Sequence, residues 1–122
     1  MRVTSDDARW RDICATDDVL PGTGVPAMLD HEQIAVVRTA DDRFFAISNF
    51  DPFSRAFVLA RGIVGDRAGV PKLASPMYKQ SFALETGECL DDASVRVPVY
   101  PLRVISGRVQ VALENHPDGA TP

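Results

Sequence analysis

The chain has 122 residues, 45% of them hydrophobic and 25% charged, with 13 basic and 17 acidic side chains and a formal net charge of −4. That size and apolar content fit a single domain able to bury about two-thirds of the surface of its unfolded form. The basic residues are scattered along an acidic chain, which excludes a nucleic-acid surface, because phosphate contacts need a local excess of Lys and Arg. Met1 to Arg9 lacks the apolar stretch of a secretory leader, and no run approaches the ~20 apolar residues that span a bilayer, so the sequence reads as cytoplasmic and without membrane association.

In chain order, Leu20-Pro21-Gly22-Thr23-Gly24-Val25 is a turn-rich entry to a strand over Val25 to Leu29, and Asp30-His31-Glu32 reverses the chain. Short β-branched or aromatic runs follow at Ile34 to Arg38, Phe44 to Ile47, Val95 to Val99, Leu102 to Ile105 and Val109 to Leu113, which predicts an all-β fold. The alternation of Val95, Val97 and Val99 puts three valines on one face, with Arg96 and Pro98 on the other. Ser106-Gly107 supplies a tight hairpin turn, and the tail from Glu114 to Pro122 reads as disordered. Asp-Asp pairs at 6–7, 17–18, 41–42 and 91–92 read as turns and caps, since Asp accepts hydrogen bonds from local backbone N–H groups. Cys14 and Cys89 match no metal-ligand spacing and read as buried or half-buried free thiols.

Two loops carry the chemistry, Asn49-Phe50-Asp51-Pro52-Phe53 and Ser75-Pro76-Met77-Tyr78-Lys79-Gln80-Ser81-Phe82. A Rieske [2Fe–2S] centre requires two Cys thiolates and two His imidazoles, offered as Cys-x-His and Cys-x-x-His. The loops resemble those of a Rieske domain in which the four positions are held by Asp51, Phe53, Ser75 and Tyr78, so the resemblance implies vestigial positions and no cluster. The resemblance runs from about Trp10 to Leu113 and includes Leu84 to Leu90 and Val97 to Val104. It implies a Rieske-like antiparallel β-sandwich over 10–113, an N-terminal extension over 1–9 and a flexible tail over 114–122. As a cluster-less Rieske-like chain it resembles the small subunit of assimilatory NAD(P)H-dependent nitrite reductase, through Asp51-Pro52-Phe53-Ser54, Arg61 to Arg67 and Ser75-Pro76-x-x-Lys79-Gln80. That family implies a large subunit holding FAD, siroheme and an iron–sulfur cluster, with no cofactor and no catalytic residue in this chain.

Each of the four positions also has an ordinary reading: Asp51-Pro52 a turn starter, Phe53 and Phe82 core, Ser75-Pro76 a strand exit, Tyr78 a half-buried ring with a solvated hydroxyl. The separation of Phe53 and Ser75 exceeds the usual Rieske spacing, with the extra length in Arg61 to Gly69. Without a cluster, the expected ties between the loops are apolar contact among Phe53, Phe57 and Tyr78 and a hydrogen bond from Asp51 to Ser75 or Tyr78. Other chemistry is excluded: Pro21-Gly22-Thr23-Gly24 lacks the lysine of a phosphate loop, His31 and His116 pair with no nucleophile, and a single carboxylate with Ser75 and Tyr78 is a poor metal cage, so no metal site is expected. The sequence therefore predicts a subunit that binds and stabilises a large redox partner through a loop tip bearing Phe50, Phe53, Tyr78 and Lys79. The alternatives are a ferredoxin-like electron carrier and a generic Rieske-fold interaction module.

Overall fold

Residues 9–113 are described by a computed structural model as a succession of strands. These are β1 (Trp10–Ala15), β2 (Thr23–Leu29), β3 (Glu32–Arg38), β4 (Phe44–Ser48), β5 (Phe50–Asp51), β6 (Ala56–Phe57), β7 (Ile63–Arg67), β8 (Val70–Ala74), β9 (Ser81–Ala83), β10 (Val99–Tyr100), β11 (Leu102–Ile105) and β12 (Arg108–Ala112). Single 3₁₀ turns lie at Thr16–Asp18 and Leu59–Arg61. Every strand pair is antiparallel, in sheets of order β10-β4-β3-β2, β1-β12-β11, β7-β8-β9 and the small ribbon β5-β6. The predicted all-β, antiparallel architecture is the one observed. No helix among the described residues is long and apolar enough to cross a membrane.

The centre of the fold is β3, whose residues Ile34, Ala35, Val36 and Val37 are all inaccessible to solvent. Side chains alternate across a strand, so a strand this uniformly apolar must be covered on both faces. Ala35 and Val37 enter one core with Ile47, Leu73, Phe82 and Leu84. Ile34 and Val36 enter a second with Leu29, Ala46, Val109 and Val111. The central sheet is thus packed between β7-β8-β9 on one face and β1-β12-β11 on the other.

The predicted turns are in place. Asp30 takes φ 55° between β2 and β3, and Ser106 and Gly107 take φ 51° and 76°, the pair of positive values that a two-residue hairpin turn requires. Three of the Asp pairs act as caps and turns: Asp18 accepts from Ala15 N–H at 2.9 Å, Asp42 takes φ 69° with its N–H donating to Thr39 O at 3.0 Å, and Asp92 accepts from Ser94 N–H at 3.1 Å. The pair at 6–7 and the tail over 114–122 lie outside the described residues. Both Cys14 and Cys89 are free thiols, the first half-buried and the second buried.

One expectation needs correction. The valine alternation is real, with Val97 buried and Arg96 and Pro98 exposed, but Val95 to Val99 is not a full strand. Its ladder is reduced to an Arg96–Glu88 bridge and the two residues of β10, because Pro98 and Pro101 have no N–H to donate. The extra length at Arg61 to Gly69 is ordered: it forms β7 and its hairpin to β8, closed by Ala68 and Gly69 at φ 53° and 86°. Gly62 lets this insertion cross tightly over β8, since a Cβ there would lie 2.3 Å from the Ala74 carbonyl oxygen.

On the β10 edge, the Tyr100 hydroxyl donates to Glu32 Oε1 at 3.2 Å, and burial followed by the neighbouring carboxylate pushes the phenol up to about 12. A phenol that ionises later in the folded than in the unfolded state stabilises the fold fully below the ordinary tyrosine value of about 10 and loses that contribution as pH rises toward 12. Tyr100→Phe is expected to flatten the decline of stability over this alkaline window. Urea unfolding of both proteins from about pH 9 to 12 measures it.

Candidate functional site

The first loop leaves β4 at Asn49, whose buried side chain fixes the far end of the loop by accepting from Ala60 N–H at 2.7 Å. Between these anchors β5 and β6 pair Phe50 with Phe57 and Asp51 with Ala56, and Arg55 closes the turn at φ 63°, its N–H donating to the Asp51 carbonyl at 2.7 Å. The second loop leaves β8 at Ala74 and returns to β9 at Ser81, with Ser75 N–H donating to Gln80 O at 2.8 Å and Lys79 N–H to Ser75 O at 3.1 Å. The loops start from different sheets, so something must hold them in one place.

That tie is Asp51. Its side chain is wholly buried and accepts from Phe53 N–H at 2.9 Å, from the Ser54 hydroxyl at 2.9 Å and from the Ser75 hydroxyl at 2.5 Å, the last across 24 residues of sequence. The Ser75 oxygen in turn accepts from Met77 N–H at 3.2 Å. Both loops thus use the same device, in which the residue before a proline takes the N–H two positions on, and the two leading side chains are hydrogen-bonded to each other. Of the two ties expected for Asp51, the one to Ser75 forms. Ser54, the third donor, was not anticipated, although a hydroxyl three residues after a turn-forming Asp is a readable signal.

The rings pair differently from expectation. Phe53 turns inward onto Phe82, with centroids 6.2 Å apart, and packs against the core that contains Leu73 and Leu84. Phe57, 52% exposed, pairs with Phe50 at 5.1 Å. Tyr78 is 59% exposed, not half-buried, and lies with Met77 and Lys79 on the outside of the second loop. A left-handed turn at Arg55 lies between Phe53 and Phe57, and another at Lys79 follows Tyr78. At the base of the second loop, Asp91 accepts from Ser81 N–H at 2.8 Å and pairs with Arg67 at 3.3 Å; that backbone bond, then Arg67, holds its carboxyl below the usual range.

The donor set does not fit a Rieske cluster. The four positions offer a carboxyl and a hydroxyl bonded to each other, a ring turned into the core and an exposed phenol. Cys14 is in β1, Cys89 is buried behind Phe82, and His31 sits in the β2–β3 turn. Among the described residues no group of three or more His, Cys, Asp or Glu is placed to hold a metal ion. What the tip offers instead is a rigid, partly apolar surface.

Residues 9–112 match the Rieske-like [2Fe–2S] domain family. The nitrite reductase (NADH) small subunit of Escherichia coli K12 is 46% identical over 105 residues, covering 85% of this chain and 97% of that protein. A crystal structure described as an NADH-dependent nitrite reductase small subunit from Mycobacterium tuberculosis is 51% identical with a TM-score of 0.83, covering 87% of this chain and 96% of that one. A segment of the nitrite reductase NAD(P)H large subunit of Klebsiella oxytoca is 38% identical over 102 residues, covering 84% of this chain but 11% of that protein.

The buried tie has a measurable strength. Ser75→Ala removes one of three donors and is expected to cost about 1 kcal/mol, whereas Asp51→Ala strands two hydroxyls and an N–H and should cost about 2–4 kcal/mol. In a double-mutant cycle by urea unfolding the two changes should couple by about 1–2 kcal/mol; additive effects would mean that the 2.5 Å bond does not hold the loops together.

Proposed function

Because the chain belongs to the Rieske-like [2Fe–2S] domain family and, within it, to the nitrite reductase small subunits, we propose that it binds and stabilises the large catalytic subunit of an NAD(P)H-dependent nitrite reductase in the cytoplasm without carrying electrons itself. The observation that carries this reading is the Klebsiella oxytoca large subunit, in which a segment similar to nearly the whole of this chain is part of the same polypeptide. A domain found both as a separate chain and joined covalently to a larger one has a surface suited to that larger one. On this reading FAD, siroheme and the iron–sulfur cluster belong to the large subunit, which oxidises NAD(P)H and reduces nitrite.

The contact is made by the loop tip. Tyr78 and Lys79 touch the partner directly, Phe50 acts through its pair with Phe57, and Phe53 sets the height of the first loop by seating on Phe82. Exposed rings desolvated at the centre of an interface carry a large share of its energy. The electron-carrier alternative requires thiolate and imidazole donors that neither loop contains.

Two outcomes follow. Protein purified anaerobically from iron-replete cells should contain no stoichiometric iron or acid-labile sulfide; two irons per chain with a visible charge-transfer spectrum would overturn the cluster-less reading. Tyr78→Ala should weaken binding to the purified large subunit by about 1–3 kcal/mol with an unchanged melting temperature, while Phe53→Ala should lower the melting temperature. Calorimetric titration with thermal unfolding of each free variant separates the two effects.

A further inference from the structure

Five arginines outside the tip are neutralised within the chain, Arg11 by Asp30, Arg38 by Asp42, Arg43 by Asp41, Arg67 by Asp91 and Arg108 by Asp12, while Arg96 is exposed and has no ion pair among the described residues. Arg103 lies over the Trp10 ring at 4.4 Å and donates to Gln110 at 2.8 Å. The tip is different. In residues 49–63 and 74–80 the charged side chains are Asp51, Arg55, Arg61 and Lys79. Asp51 is buried and committed to its three donors, while Arg55, Arg61 and Lys79 are exposed and have no ion pair among the described residues. A chain of net charge −4 thus presents three unpaired cations, and no free carboxylate, from these two segments.

Two of those cations sit where a long side chain is costly. Arg55 and Lys79 have φ values of 63° and 68°, a region that Gly or Asn enters more readily. The same two segments carry exposed apolar residues: Phe57, Ile63, Met77 and Tyr78 are each more than half exposed, Phe57 pairing with Phe50 beside Asp51 and Ile63 with Ala74 beside Ser75.

We propose that the surface of the large subunit that receives this tip is acidic around an apolar patch, and that Arg55, Arg61 and Lys79 draw the two proteins into register before the exposed rings are desolvated. This rests on the subunit reading above. Exposed charges of opposite sign act over about 10 Å at 0.1 M salt, so they govern encounter and orientation, and their effect is lost as salt rises.

The test titrates the full-length chain with its purified large subunit at about 0.05 and 0.5 M salt. Wild type is expected to bind ~10-fold or more weakly at high salt, and the triple variant Arg55→Gln, Arg61→Gln, Lys79→Gln to bind ~10-fold more weakly at low salt with its salt dependence largely gone. A control carrying Arg43→Gln and Arg108→Gln, cations already paired away from the tip, should behave as wild type. Arg61→Glu, at a position free of backbone strain, repeats the test with a single reversal and should weaken binding further than neutralisation of Arg61 does. Variants that bind as wild type with its salt dependence would overturn the acidic docking face and leave the subunit reading intact. No binding by wild type at either salt concentration would overturn both.

Discussion

Two loops from two different sheets meet at one carboxyl group. β4 belongs to the central sheet and β8 to the sheet packed on it, so the loops that leave them are fixed separately at their bases and need a second connection at their ends. A Rieske domain makes that connection with metal–ligand bonds. Here Asp51 makes it with hydrogen bonds from Phe53, Ser54 and Ser75. A buried carboxyl left without donors would cost several kcal/mol, so the fold is committed to supplying all three at once. Since one comes from the second loop, neither loop can move away alone. The same commitment uses up the side chains that would otherwise have been available to a metal.

The scaffold behind the tip is stiff for an equally simple reason. With Ile34 to Val37 covered on both faces, β3 cannot slip by one residue without exchanging the contents of two cores. β4 is registered against it from Phe44 to Ser48, and Asn49 extends that registration into the loop by bonding both Gln33 O and Ala60 N–H. The insertion at Arg61 to Gly69 adds a further strut, since Gly62 passes in contact with Ala74 immediately before the second loop begins. Exposed rings on such a base bind with little ordering cost, because the conformations they would have to adopt are already imposed.

How much of this was legible follows from which signals are local. The β-branched runs that became β3, β4, β11 and β12 announce themselves, as do the turns at Asp30 and Ser106-Gly107. β1 was hidden because Arg11 and Asp12 are solvated and the strand is held mainly by its ladder to β12. The hairpin of β7 and β8 was hidden because Gly65, Asp66, Pro71 and Lys72 break the apolar rhythm of an edge exposed on one side. In the tip, the resemblance to a cluster-less Rieske domain pointed to a tie from Asp51 to Ser75 or Tyr78, and it is Ser75 that makes it. Which ring faces inward was not readable, since Phe53 and Phe57 are equally apolar and their partners Phe82 and Phe50 are set by the tertiary fold.

The two forms of the domain place different demands on the tip. When the domain is a segment of a large-subunit polypeptide, as in the Klebsiella oxytoca relative, a tether fixes the local concentration of one partner around the other, and effective concentrations in the millimolar range make even a weak contact persist. A separate chain has no tether. It must find its partner by diffusion and hold it by contact alone, which favours long-range charge for the encounter and desolvated rings for the residence time. On the docking reading proposed above, the exposed cations Arg55, Arg61 and Lys79 would serve the first demand and exposed Phe57, Met77 and Tyr78 the second. Both would then sit on loops tied together by the Asp51–Ser75 hydrogen bond.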